Sequence, residues 1–217
     1  MTIKILIKKL RVEGREVVTD SLLRNYCTKL KLDYNSTVNY LIRAKYIIRI
    51  FRGIFYVKTA NEYVLGKTKY NHLQLVAKGL KTKGVKNWYF GMHTALKLNA
   101  QTHEIFSIDE VISDTIFRNV SFLIAGHKFK FTKISPGLTK FGVIERHGIR
   151  YSDPEKTILD FIYLWRYRGI ADRRILSGVL EWSQNSNVRK LKAYSKFYPG
   201  TVRNIVEELI LAKQRFD

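Results

Sequence analysis

The sequence predicts an α+β protein, with an N-terminal winged helix-turn-helix followed by a larger α/β region that ends in helices. Three observations predict this fold class. Within the first 58 residues the hydrophobic period changes in the order helix, short strand, helix, helix, hairpin. Short β-branched and aromatic runs separated by turn residues fill the middle of the chain. From Asp153 onward the apolar residues recur at helical spacing.

The three N-terminal helices are predicted from apolar spacing and from capping residues. Apolar residues over 3–10 recur at helical spacing, with lysines on the opposite side. A short extended pair, Val17-Val18, precedes Thr19-Asp20-Ser21, which supplies N-cap residues for a second helix running to about Leu30. A polar turn then opens a third helix, which we expect over 36–45.

A tight hairpin is predicted after these helices. The runs 46–52 and 54–57 are rich in β-branched and aromatic residues and are joined at Gly53. The polar stretch 59–68 has the composition of a linker. The predicted domains are therefore a winged helix-turn-helix over 1–60 and an α/β domain over 68–217.

The second domain is predicted as a series of short elements. They are a helix over 71–78, an extended segment over 88–90, a helix over 92–98, a strand or helix over 105–112, a hairpin over 122–134, short strands over 138–144 and 148–151, and helices from 153 to 216. In the hairpin, Phe129 and Phe131 point to one face and Lys128 and Lys130 to the other. Asp153-Pro154-Glu155 is a strong helix start because it combines an N-cap acid, a first-turn proline and a first-turn carboxylate.

The charge balance indicates a polyanionic partner. The chain has 39 Lys and Arg against 18 Asp and Glu, a net charge of +21, and residues 1–58 alone carry +9. Such an excess repels itself in the folded state, so a nucleic acid, an anionic membrane surface or an acidic protein is expected to neutralise it. A thermophile's lysine-rich surface would carry matching glutamate, which is missing here. Nucleic acid is the favoured partner.

The third predicted helix has a face suited to reading DNA. Val38, Leu41 and Ile42 cluster on one side, and the opposite side carries an amide that can pair with adenine and a guanidinium that can pair with guanine. The hairpin beside it is basic, as expected of a wing that contacts phosphates. A plain solvated face is the alternative. The predicted DNA-binding residues are Ser36, Thr37, Asn39, Tyr40, Arg43, Lys45, Arg49 and Arg52.

The sequence supports a catalytic function less well than DNA binding, and we expect that the protein is not an enzyme and has no cofactor and no metal site. The five histidines form no HxxxH or HxH pair. There is no phosphate-binding Walker loop and no dinucleotide fingerprint. A metal-dependent nuclease would need converging carboxylates. The available ones are Asp109, Glu110, Glu145, Asp153, Glu155 and Asp160. Asp153 and Glu155 are better explained as helix-start residues, and we expect Asp160 on the polar side of its helix.

Location and oligomeric state are constrained only loosely. The single Cys27 lies in a helical stretch and excludes an intramolecular disulfide, and no apolar run approaches the length of a membrane span. A reducing cytoplasm fits both observations. The apolar residues of the last helix, Val202, Ile205, Val206 and Leu209, would either lie in the core or pair two copies, so the chain is expected to be a monomer or a homodimer.

Three segments resemble the AbiEi-type antitoxins of abortive-infection (type IV) toxin–antitoxin systems. Residues 46–56 are similar to the wing of that family, where an Arg-Gly pair precedes an aromatic strand. Tyr89-Phe90-Gly91 with Thr94-Ala95-Leu96 resembles the start of its antitoxin domain. Ser152 to Asp160 is similar to its Pro-Glu-(Arg/Lys)-Thr-Leu-x-Asp helix and is the most specific of the three. The resemblance covers about Leu6 to Arg166 and has no counterpart after about Arg168.

The resemblance implies a transcriptional repressor that binds inverted repeats upstream of its own operon. It also implies neutralisation of a cognate nucleotidyltransferase-like toxin. Two other functions stay open at this level. One is a metal-dependent DNA-processing enzyme of a mobile element, and the other is an architectural DNA-binding protein whose affinity follows salt rather than sequence.

Overall fold

The structure is a computed structural model that describes residues 2–214. Over this range the chain is α+β and divides into two compact units. The N-terminal unit contains residues 2–86 and Leu123–His127, and the C-terminal unit contains Asn87–Phe122 and 128–214. The first unit therefore extends past the boundary predicted at 60–68.

The N-terminal unit contains five helices and three strands among its described residues. They are α1 (Thr2–Val12), β1 (Val17–Thr19), α2 (Asp20–Lys29), α3 (Tyr34–Arg43), β2 (Ile47–Phe51), β3 (Ile54–Val57), α4 (Ala60–Val64) and α5 (His72–Thr82). The strands form an antiparallel sheet in the order β1-β3-β2. The helix, strand, helix, helix, hairpin order predicted for the first 58 residues is present.

The position of α3 follows from its capping residue. The Asp33 carboxylate accepts a hydrogen bond from the backbone N–H of Ser36 at 2.8 Å, so the helix begins at Tyr34 rather than at the predicted residue 36. Val38 and Leu41 of this helix are buried in a core that also contains Cys27. The burial raises the pKa of the Cys27 thiol, which therefore stays protonated and packs as a small apolar residue.

The segment predicted as a linker is folded. It contains α4, and the buried Glu62 accepts hydrogen bonds from the Tyr56 hydroxyl at 2.5 Å and from the backbone N–H groups of Thr59 at 2.8 Å and Lys69 at 2.6 Å. Burial opposes the charge on Glu62, but these donors outweigh it and the pKa of the carboxyl is lowered. The Glu62 carboxylate thus holds both ends of the segment against β3. The composition of the segment could not predict this fold, because Tyr56 lies outside the segment.

Helix α5 packs directly against the hairpin. It runs four residues beyond the predicted 71–78, and a Cβ added at Gly79 would lie 2.5 Å from Cγ2 of Ile50 and 2.8 Å from the Phe51 ring. The absence of a side chain at Gly79 lets the helix approach β2. The N-terminal unit is therefore larger than the 60 residues predicted for it.

The C-terminal unit is built on a mixed sheet with the strand order β7-β5-β4-β9-β8. Its described elements are β4 (Trp88–Phe90), α6 (Met92–Leu98), β5 (Ile108–Ser113), β7 (His127–Lys133), a 3-10 turn (Pro136–Thr139), β8 (Val143–Arg146), β9 (Ile149–Ser152), α7 (Pro154–Tyr167), α8 (Asp172–Ser183), α9 (Val188–Ser195) and α10 (Gly200–Lys213). The short strand β6 (Phe122–Ile124) falls at the boundary, since its last two residues are counted in the N-terminal unit. Strand β4 is antiparallel to β5 and parallel to β9, β5 is parallel to β7, and β8 is antiparallel to β9.

The elements of this unit agree with the sequence-based expectations in part. The segment 105–112, predicted as a strand or a helix, is a strand from residue 108 onward, and Phe129 and Phe131 of β7 are fully buried as expected. The prediction of a strand over 138–144 is wrong up to residue 142, because the 3-10 turn that begins at Pro136 runs to Thr139, bends follow, and β8 begins only at Val143. The last helix was predicted over 201–216, of which 215–216 lie outside the described residues.

The apolar face of α10 belongs to the core. Its four predicted residues are at most 1% exposed and belong to the same hydrophobic cluster as α7 and α8. They are therefore not available to pair two copies of the chain. Among residues 2–214, no helix combines the length and the apolar character that crossing a membrane requires.

Candidate nucleic-acid interface

The exposed side of α3 carries four of the eight predicted DNA-binding residues. Ser36, Asn39, Tyr40 and Arg43 are all exposed, since they lie opposite the buried side of the helix. No Asp or Glu occurs between residues 34 and 58, so this side of the helix carries no acidic side chain. It presents an amide, a guanidinium and two hydroxyl groups, which can hydrogen-bond to base edges and phosphates.

Thr37 was predicted with this set but lies in the core. Its side chain is 2% exposed, and its hydroxyl is hydrogen-bonded with the Cys27 thiol. The reason is its helical position: Thr37 lies one turn from Leu41, which is fully buried. Thr37 therefore stabilises the helix packing and is not part of the exposed surface.

The start of α3 is joined to the turn of the hairpin through Asp20. The Tyr34 hydroxyl donates a hydrogen bond to the Asp20 carboxylate, and the backbone N–H of Asp20 donates to the carbonyl of Gly53 at 2.7 Å. Tyr34 and Arg24 both donate to Asp20 and lower the pKa of its carboxyl, and the charge of Arg52 contributes to the same shift. Burial and the neighbouring Asp20 raise the pKa of Tyr34 to about 12, so its hydroxyl keeps its proton.

The hairpin turn projects an arginine. Arg52 and Gly53 form the two-residue connection between β2 and β3, and the Arg52 side chain is exposed. Gly53 has φ +74°, and a Cβ there would lie 3.2 Å from Cβ of Asp20. Glycine is therefore required both by the backbone conformation and by the close approach to α2. The same contact holds Arg52 beside the start of α2.

Lys45 and Arg49 line a separate feature, a cleft of about 890 Å³ within the N-terminal unit. Its walls come from the end of α3, from β2 and from the segment 66–71. We call this feature the basic cleft because it is lined by the cationic residues Lys45, Arg49, Lys58, Lys67 and Lys69. The sequence analysis did not single out the last three: Lys67 lies in the segment 59–68 that was predicted as a linker, and Lys58 and Lys69 flank it.

Sequence reasoning also missed a basic and aromatic cluster beside α3. Arg24 lies over the Tyr34 ring at 3.9 Å and pairs with Asp20 at 2.8 Å. Tyr46 stacks on Tyr63 with ring centroids 4.4 Å apart, and the Tyr40 ring lies 6.3 Å from Tyr46. Arg24 and Tyr34 lie ten residues apart and Tyr46 and Tyr63 seventeen apart, so helical spacing could not have grouped them.

The motif around Pro154 folds into the core of the C-terminal unit. Asp153 caps α7, accepting from the backbone N–H of Lys156 at 2.8 Å, as the sequence predicts. Lys156 and Asp160 are both fully buried and are joined at 2.6 Å. The expectation that Asp160 lies on a polar side of its helix is therefore wrong. Its carboxylate also accepts from the hydroxyls of Tyr89 at 2.8 Å and Tyr198 at 2.7 Å.

Burial and aromatic contacts set the electrostatics of this buried network. Burial lowers the pKa of the Lys156 ammonium, while Asp160 opposes that shift. Burial and the Asp160 charge raise the pKa of the Tyr89 and Tyr198 hydroxyls well above their usual range. The Lys156 ammonium also lies 5.0 Å from the ring centroids of Tyr89 and Phe141. Every polar group of the pair thus has a partner inside the fold.

The carboxylates considered for a nuclease are mostly engaged in similar contacts. Asp153 and Glu155 both pair with Lys190 at 2.9 Å, and Glu155 also accepts from the backbone N–H of Asn187 at 2.8 Å. Glu110 accepts from a ring nitrogen of His93 at 2.9 Å. With Asp160, four of the six candidates are therefore buried and hydrogen-bonded in the C-terminal unit.

Two histidines that are distant in sequence come together in the N-terminal unit. The rings of His72 and His127 stack with centroids 3.7 Å apart. The sequence contains no HxxxH or HxH pair, and those patterns detect only histidines that share one helix or strand. The contact between His72 and His127 could therefore not be predicted from local spacing.

Comparison with known proteins supports the fold and leaves the function open. No protein-family model matches the chain, and no curated protein matches it. The chain is similar to the crystal structure of the RV2827C protein from Mycobacterium tuberculosis, with a TM-score of 0.60 and 11% identity. The match covers 96% of this chain and 75% of that one. At this identity the likeness shows a shared fold, an α+β arrangement extending over nearly the whole chain.

Proposed function

We propose that the protein is a sequence-specific duplex-DNA-binding transcriptional repressor that acts through a winged helix-turn-helix in its N-terminal unit. In this proposal α2 and α3 form the helix-turn-helix, α3 enters the major groove, and the β2–β3 hairpin is the wing. One observation carries it: the exposed face of α3, which has no carboxylate, is joined through Asp20 to a hairpin turn that carries an exposed arginine.

The residue types on this surface support distinct contacts. Asn39 can form two hydrogen bonds with adenine, and Arg43 can do the same with guanine, so both are proposed to read bases. Ser36, Tyr40 and Arg52 are suited to phosphate or groove contacts that fix the orientation of the protein. The net charge of +21 supports a strong electrostatic contribution to binding.

We further propose that this repressor is the autoregulating antitoxin of a type IV toxin–antitoxin system. The support is the resemblance of three segments to AbiEi-type antitoxins, and the expected partners are an inverted-repeat operator and a nucleotidyltransferase-like toxin. The most specific of the three segments lies in the buried network of α7. Toxin neutralisation would therefore depend on this segment through the fold of the C-terminal unit.

The proposal is tested by fluorescence anisotropy with the duplex upstream of the gene and a scrambled duplex of equal length, each at two salt concentrations. We expect the upstream duplex to bind at least about a thousandfold more tightly, the low end for specific DNA-binding proteins. Equal affinities that fall together as salt rises would contradict a specific repressor and indicate an architectural protein. Cleavage of either duplex on addition of Mg²⁺ would indicate a DNA-processing enzyme.

A further inference from the structure

Lys58 is a mostly buried lysine whose ammonium reaches the basic cleft. It follows β3 and is 6% exposed, and its backbone N–H donates to the Tyr46 carbonyl at 3.0 Å, which fixes its position. Among residues 2–214, no carboxylate lies within ion-pair distance of its ammonium and no hydrogen bond to the side chain is found. A lysine whose side chain is mostly packed in the fold, and whose ammonium opens into a cleft without an ion-pair partner, is suited to bind an anion there.

The surroundings of Lys58 specify that anion. Lys58 lines the basic cleft together with Lys45, Arg49 and Lys67, and none of the Asp or Glu residues within 2–214 lines it. Lys69 also lines the cleft, but its ammonium lies 3.5 Å from Glu16, so its charge is partly balanced. A single carboxylate would leave most of this charge uncompensated. A phosphoryl group carries up to two negative charges and several acceptor oxygens, which suits several converging cations.

The cleft also has an apolar side and the size of a ligand site. Ile42, Ile47 and Ile48 line it beside the ring of Tyr70. Its volume of about 890 Å³ falls within the range of small-molecule sites, roughly 300–1,000 Å³. The cleft therefore has room for a phosphoryl group and for part of the molecule that carries it.

We propose that the basic cleft is a phosphoryl-binding site in which Lys58 is the innermost contact and Lys45, Arg49 and Lys67 surround the anion. The phosphoryl group belongs either to a free phosphorylated molecule or to the backbone of bound DNA. The site itself does not depend on the proposed repressor function, because the first source requires no DNA.

The first experiment uses inorganic pyrophosphate and thermal unfolding of the full chain, followed by circular dichroism. Pyrophosphate at ten times its dissociation constant is expected to raise the Tm of the wild-type protein by at least about 3 °C. Lys58→Met keeps the length of the side chain and removes the charge, so it is expected to abolish this rise. Lys81→Met, at an exposed position outside the cleft, is the control and should retain the full rise.

The second experiment measures duplex affinity for the same variants and separates the two sources. A Tm rise lost in Lys58→Met with unchanged duplex affinity assigns the site to a free phosphorylated molecule. If pyrophosphate does not raise the Tm of the wild-type protein, and Lys58→Met binds every duplex about tenfold more weakly, the site is assigned to the DNA backbone. If Lys58→Met changes neither quantity, the proposal is wrong, whether or not the protein binds DNA. Arg49→Gln, at an exposed position on the cleft, serves as the second variant and should weaken whichever effect is observed.

Discussion

The two units use the same kinds of residue in opposite ways. In the N-terminal unit, Asn39, Arg43 and Arg52 are exposed, and the face of α3 that carries the first two has no carboxylate. In the C-terminal unit, Lys156 and Asp160 are fully buried and bonded to each other. Arginine and asparagine at the surface are available to a partner, whereas a paired lysine and aspartate in the core are already satisfied by the fold.

This difference shows why a motif does not by itself identify a binding site. The segment from Asp153 to Asp160 is the most distinctive part of the sequence, yet its charged groups bond to Lys190, Tyr89 and Tyr198. The face of α3 has no comparable signature. Burial and pairing therefore separate a motif that specifies the fold from a surface that can recognise DNA.

The largest effect is expected from breaking the buried pair. Asp160→Ala leaves the Lys156 ammonium uncompensated in the core, so it should destabilise the C-terminal unit by about 3–5 kcal/mol. The three tryptophans, Trp88, Trp165 and Trp182, all belong to that unit, so urea unfolding followed by tryptophan fluorescence measures it selectively.

A double substitution provides the matched control. Lys156→Met combined with Asp160→Leu removes both charges and should recover much of the lost stability, although Tyr89 and Tyr198 then lack their acceptor. A loss below about 1 kcal/mol for Asp160→Ala alone would mean that water or another group compensates Lys156, contrary to the buried network described above.

Local chemistry made the N-terminal elements predictable. The capping residue Asp33, the apolar spacing of α3 and the glycine at the hairpin turn act within a few residues of one another, so the sequence alone locates these elements closely. The four exposed residues of α3 were predicted for the same reason. Thr37 could also have been placed correctly, because it lies one turn from the buried Leu41.

Long-range contacts made the rest unpredictable. The pairing of Lys156 with Asp160 spans one helical turn, but its burial depends on Tyr89 and Tyr198, which are far from it in sequence. The fold of the segment 59–69 likewise depends on Glu62 reaching the Tyr56 hydroxyl. Composition could not show that this polar, glycine-containing stretch is held in place and forms one wall of the basic cleft.

The next effect concerns DNA binding and should leave the C-terminal unit unchanged. Arg43→Ala is expected to cost about 1–3 kcal/mol in affinity for the upstream duplex and to relax the base preference at one position. Arg52→Ala should weaken binding to all sequences about equally and reduce the slope of log affinity against log salt by about 1.

Anisotropy titrations against a set of single-base variants of the upstream duplex measure both effects. Lys81→Ala, at an exposed position of α5, is the control for a nonspecific loss of charge. Wild-type binding by both arginine variants would refute the winged-helix proposal. Equal losses on every duplex for Arg43→Ala would instead assign that residue to phosphate contact.

The smallest effect is a pH dependence of the N-terminal unit. Hydrogen bonds from Lys78 at 2.6 Å and from the Tyr70 hydroxyl lower the pKa of Glu16 from 4.5 to about 2. Because the pKa is lower in the folded state, Glu16 stabilises the unit above about pH 4.5 and loses that contribution as the pH falls toward 2. Its side chain is 40% exposed, so we expect Glu16 to contribute at most about 1 kcal/mol to the free energy of unfolding.

Hydrogen exchange of peptides from α2 and α5 should therefore accelerate less between pH 5 and pH 3 in Glu16→Gln than in the wild type, once the intrinsic exchange rates are subtracted. An identical acceleration in both proteins would show that Lys78 and Tyr70 do not hold Glu16 in solution.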